Sequence, residues 1–139
     1  MKRLHLALIS ACLLWTPKIY AVNSCSTRDF VNLTGRASTT ITFVPYAYSP
    51  KCVHVDLNTA VSFSGAFSQH PLRGGEIVNG TAVPDSTSPI ASTGSGTIAT
   101  FQITSPGVYG FYCAYHGVSF GMNGVVEVGN EIIFADGFE

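Results

Sequence analysis

From residue 22 onward the chain is built of short β-branched and aromatic runs broken every few positions by Gly, Pro, Ser or Asn, and no stretch of ten residues has helical spacing. In Cys52-Val53-His54-Val55-Asp56-Leu57 and Thr97-Ile98-Ala99-Thr100-Phe101-Gln102-Ile103 apolar and polar positions alternate, so each segment turns one face to a core. The pattern predicts strands near residues 29–34, 39–44, 52–56, 60–64, 97–104, 108–113 and 124–128. Asp56-Leu57-Asn58-Thr59 and Ser105-Pro106-Gly107 are turns by composition. Seven or eight short strands at this spacing predict an all-β fold, an antiparallel β-sandwich. The segment from Gly74 to Gly96 is poor in apolar runs and rich in Gly, Pro, Ser and Thr, so it is expected to cross one face or edge of the sandwich irregularly. Arg73-Gly74-Gly75 reads as a turn, because no Gly-x-x-x-x-Gly-Lys-Ser/Thr pattern surrounds it.

The N-terminus has a different pattern. Lys2 and Arg3 precede an apolar run from Leu4 to Trp15, and a polar-to-small stretch ends at Lys18-Ile19-Tyr20-Ala21. This is the layout of a signal peptide over residues 1–21, with cleavage after Ala21. Ile9-Ser10-Ala11-Cys12 has the form of a lipoprotein box, but Leu13-Leu14-Trp15 carry the apolar core past it. The run falls short of the about 20 residues that span a bilayer, and no other segment approaches that length, so no stable membrane span is expected. Residues 22–130 form one domain in this reading, and residues 131–139 form an acidic and apolar tail. The expected location is periplasmic or secreted.

Beyond residue 21 four basic residues, Arg28, Arg36, Lys51 and Arg73, face eight acidic ones, a net charge of −4. Glu131, Asp136 and Glu139 lie in the tail, which leaves the domain close to neutral. No basic patch suits nucleic acid.

Three cysteines remain, Cys25, Cys52 and Cys113. In an oxidising compartment an odd number means one pair and one thiol with another task. Cys25–Cys52 as the disulfide leaves Cys113 free; either alternative pairing would consume Cys113.

Cys113 sits in Gly110-Phe111-Tyr112-Cys113-Ala114-Tyr115-His116, with Met122 six residues beyond His116 in Phe120-Gly121-Met122-Asn123-Gly124. His70, held extended by Pro71, offers a second imidazole after a predicted strand. A thiolate and two imidazoles in a trigonal set, with a weak thioether, hold copper for electron transfer. Each residue alone has a plainer reading: a buried thiol, a surface loop histidine, a core methionine. His54, inside an alternating strand, reads as structural. A zinc hydrolase built on the same histidines and cysteine would need an acid or base nearby, and none is clustered there. The three histidines beyond residue 21, His54, His70 and His116, are too few for an oxidase or nitrite reductase with additional copper centres.

Residues 109–116, followed by Gly121-Met122-Asn123-Gly124-Val125-Val126-Glu127-Val128, closely resemble the C-terminal copper motif of the plastocyanin-like cupredoxins. Ala60-Val61-Ser62-Phe63 and Phe67-Ser68-Gln69-His70-Pro71-Leu72 resemble the strand and loop that carry their first histidine ligand. The loop between His116 and Met122 holds five residues, one more than in the plastocyanin pattern. The resemblance implies a Greek-key β-sandwich. It also implies one type 1 copper ion held by His70, Cys113, His116 and an axial Met122, in a monomeric, non-enzymatic carrier of single electrons. Redox proteins would dock near His116, on a rim made by Gly117, Val118 and Phe120 with Pro71 and Leu72. Extracytoplasmic copper delivery would use the same ligands, but the scarcity of Met and His favours a single redox site.

Overall fold

The computed structural model describes residues 21–129; the expected tail and, apart from Ala21, the expected signal peptide lie outside them. Ten strands follow in order: β1 (Val31–Asn32), β2 (Ser38–Val44), β3 (Ala47–Ser49), β4 (Cys52–Val55), β5 (Ala60–Ser64), β6 (Leu72–Val78), β7 (Thr81–Pro84), β8 (Ile98–Gln102), β9 (Gly107–Cys113) and β10 (Asn123–Val128). They form a six-stranded sheet in the order β1-β4-β10-β9-β6-β7 and a four-stranded sheet in the order β3-β2-β5-β8.

Period-two patterning supplies the core between the sheets. Ile41, Val53, Val55, Val61, Phe63, Leu72, Phe111, Val126 and Val128 all turn inward and are buried together. The ring of Phe111 meets Tyr48 and Phe63 edge-on, with centroids 5.0 and 4.9 Å apart. Each such side chain contributes about 1.5–3 kcal/mol on burial.

The sandwich expected from the sequence is present, with three differences in detail. First, β1–β4, β4–β10 and β2–β5 run parallel, because the chain crosses between sheets before each later strand is laid down. Second, β6 and β7 form a hairpin inside the segment expected to be irregular, and Arg73-Gly74-Gly75 lies within β6 and is no turn. Asn79 and Gly80 both have positive φ, 49° and 74°, the geometry of a two-residue hairpin turn. Third, β4 is buried on both faces. The second face is covered by the N-terminal segment, whose Val22, Cys25 and Phe30 cluster with Cys52, Val125 and Val108.

The Cys25–Cys52 disulfide, with an S–S distance of 2.03 Å, ties that segment to β4 and leaves Cys113 free and buried. Closing a loop of 27 residues contributes about 3–4 kcal/mol in the chain-entropy picture.

Candidate metal centre

Cys113 ends β9, with a backbone fixed from both sides. Its N–H donates to Met122 O at 2.9 Å, and its carbonyl accepts from Gly117 N–H at 2.7 Å. The loop then folds on itself: His116 O accepts from Phe120 N–H at 3.0 Å and from Met122 N–H at 3.2 Å. These tight turns need Gly117, where a Cβ would come within 2.7 Å of Cys113 O, and Gly121, whose φ is +66°.

His70 arrives from the other side. Residues 66–70 close a turn in which Ala66 O accepts from Gln69 and His70 N–H, and the fully buried Phe67 anchors it to the core. Pro71 O then accepts from Ala114 N–H at 2.8 Å, joining the two loops.

Three donor atoms converge. His70 Nδ1 and His116 Nδ1 are 3.0 Å apart, and Cys113 Sγ lies 3.9 Å from the former and 3.5 Å from the latter. A point about 2 Å from each atom lies within this triangle, which is the length of a metal–imidazole bond. The group could hold a metal ion. Met122 is fully buried and joined through its backbone to Cys113 and His116. Burial, then the neighbouring His116 imidazole, holds His70 below the usual imidazole range. Burial also pushes the Tyr48 hydroxyl well above its usual range, with Cys113 contributing.

The rim differs from the one read in the sequence. Val118 and Phe120 are exposed, but Gly117, Pro71 and Leu72 are buried; Leu72 opens β6 and points into the core. In their place stands Tyr46, at the turn between β2 and β3. It meets the His116 ring edge-on at 5.0 Å and stacks on Phe120 at 4.6 Å, with 19° between the planes. Tyr115 is 65% exposed on the same loop as His116. A cleft of about 480 Å³ opens beside these residues, lined by Phe43, Tyr46, Gln69, His70 and His116 among others. Sequence reasoning passed over Tyr46 because it lies 70 positions from His116 and in no strand pattern.

His54 stays apart from this cluster. It lies opposite Glu127 in the β4–β10 register, with Nδ1 3.3 Å from Oε2 and both side chains buried. That is an ion-pair distance without hydrogen-bond alignment. Among the described residues no helix is long and apolar enough to cross a membrane.

No protein-family model matches the chain, and no curated protein matches it. Solved structures do. The copper-containing nitrite reductase of Thermus scotoductus SA-01 is 16% identical over 78% of this chain and 30% of its own, with a TM-score of 0.53. The chain thus spans under a third of that protein. Pseudoazurin of Methylobacterium extorquens AM1 is 23% identical over 70% of this chain and 79% of its own, with a TM-score of 0.50. At these identities the likeness is one of fold, and the fold is the cupredoxin β-sandwich that the sequence motifs imply.

Proposed function

We propose that this protein is an extracytoplasmic type 1 copper protein that carries single electrons between redox partners, and is not an enzyme. The observation that carries the reading is the triangle of His70 Nδ1, His116 Nδ1 and Cys113 Sγ. One thiol and two imidazoles, with the buried Met122 held by its backbone to Cys113 and His116, offer a donor set that selects copper over harder ions. A copper ion held there supplies a one-electron couple.

The chain's own residues supply rigidity. Cys113 sits on a strand end, His116 in a loop closed by four backbone hydrogen bonds, and His70 in a turn fixed by Phe67 and Pro71. Donors held in this way move little between oxidation states, which keeps electron exchange fast. Met122 would add a fourth, weaker thioether donor in this reading. The stacked Tyr46 and Phe120 rings shield the His116 edge from water while leaving an exposed apolar rim with Val118 and Tyr115. A near-neutral rim of this kind suits small, short-lived docking of a redox protein to a monomeric carrier.

Export through the signal peptide agrees with the Cys25–Cys52 disulfide, which persists in oxidising compartments. Of the histidines beyond residue 21, His54 is engaged with Glu127, so one centre uses the remaining two. That supports a carrier over an enzyme with several copper centres.

Redox titration of the protein loaded with one equivalent of copper tests the carrier role. A reversible one-electron couple with the metal retained in both states is expected; loss of copper on reduction would overturn it in favour of delivery.

A further inference from the structure

The Asn23 side chain is buried against the outer face of the six-stranded sheet, although it precedes every strand. Its Nδ2 donates to the carbonyls of Gly75 at 3.1 Å, Phe111 at 3.0 Å and Gly124 at 2.9 Å, and its Oδ1 accepts from Ile77 N–H at 2.8 Å. Two amide hydrogens serve three acceptors, so one hydrogen is shared. The slot depends on Gly110, where a Cβ would lie 2.9 Å from Nδ2 and 2.5 Å from Gly75 O.

These contacts sit where the sheet forks. The β6–β9 ladder runs from Leu72↔Cys113 to Gly74↔Phe111 and stops, and beyond it β6 continues only against β7. The Asn23 amide spans the gap in place of the missing rungs. The strands it joins are the three that flank the donors: β6 begins two residues after His70, β9 ends on Cys113, and β10 begins one residue after Met122. Asn23 itself sits in a turn with φ of 48°, followed by Ser24 at 60° and closed by the Cys25 N–H to Val22 O bond of 2.8 Å. Asn tolerates that conformation, and its amide both donates and accepts. The Cys25–Cys52 bridge holds the turn against β4, the neighbour of β10.

We propose that Asn23 is a positioning residue for the metal centre, seated by the Cys25–Cys52 disulfide, so that the donor-flanking strands reach their final spacing only once that bridge has formed. This rests on the copper reading above. Removing the amide leaves Gly75 O, Phe111 O, Gly124 O and Ile77 N–H without this partner and frees β6 from β9 and β10 at the fork. Removing the bridge loosens the same clamp from its other end.

The test compares Asn23→Ala, the double variant Cys25→Ser/Cys52→Ser, and Val61→Ala, a core truncation on β5 in the other sheet, as exported proteins given one equivalent of Cu(II). Copper release to a chelator should be about tenfold or more faster in the first two, as for other groups that orient metal ligands, with a shifted visible band and electron-spin-resonance splitting. Val61→Ala should lose thermal stability yet keep the wild-type spectrum and release rate. A wild-type spectrum and release rate in Asn23→Ala would overturn the proposal. If that variant does not fold, the same result in the double-serine variant would overturn it. If wild-type protein gives no copper–thiolate signal, the copper reading fails, and amide exchange at Cys113 in the metal-free proteins decides the clamp. Faster exchange in Asn23→Ala than in Val61→Ala supports it, and equal rates overturn it.

Discussion

The Nδ1 atoms of His70 and His116 stand 3.0 Å apart although the residues are 46 positions apart in sequence. Two ring nitrogens at that separation need a shared proton or a cation between them. Binding of a metal that selects the folded state raises stability by mass action, about 2.7 kcal/mol when free metal is 100 times its dissociation constant. Calorimetric melting should show a rise that saturates at one equivalent of copper and reverses with a chelator; a melting temperature indifferent to copper would count against the site.

Gly117 lies where the loop turns back on Cys113, and an added Cβ would press on Cys113 O at 2.7 Å and the Tyr112 ring at 3.1 Å. Gly117→Ala should destabilise the fold by about 1–3 kcal/mol, as overpacking does, and should weaken copper binding with it. Chemical denaturation with and without copper separates the two effects. Unchanged copper affinity would show that the loop adapts.

Met122 is buried in the core cluster, so Met122→Leu keeps the volume and should change stability by less than about 1.5 kcal/mol. If its thioether is the axial donor, its removal takes electron density from the oxidised site and raises the reduction potential. Voltammetry of the loaded variant reads this directly, and an unchanged potential would remove Met122 from the donor set.

Tyr46 is 49% exposed yet touches His116 and Phe120. Tyr46→Ala should cost about 0.5–1.5 kcal/mol through the lost aromatic pair and slow electron exchange with partner proteins. Electron self-exchange measured by NMR line broadening supplies the second readout without a known partner; an undiminished rate would mean that the ring does not shape the docking rim.

The closeness of Cys113 and His116 was legible because only two residues separate them at a strand end, and His70 because its strand and loop resemble those that carry the first histidine of the cupredoxins. Long-range features left no such trace. Tyr46 reaches the site from a hairpin in the other sheet, and Asn23 acts through a slot that only the assembled β6, β9 and β10 create. The β6–β7 hairpin was legible in principle, since Asn79-Gly80 is a strong turn signal, but the neighbouring glycines masked the strand pattern. Leu72 was misread as rim because the strand that turns it inward begins at that residue. Gly80→Ala, strained at a φ of 74° but in open space, should lower stability by about 1–2 kcal/mol and leave the metal site untouched, as thermal melting and copper titration would show.

The most direct test of a thiolate-anchored copper site is a Cu(II) titration of the wild-type protein and Cys113→Ser, followed by visible absorption and electron spin resonance. An intense thiolate-to-copper band that grows to one equivalent, with a narrow hyperfine splitting, is expected in the wild type, and neither in the variant. A colourless wild-type protein, or a variant with the same colour, would contradict it.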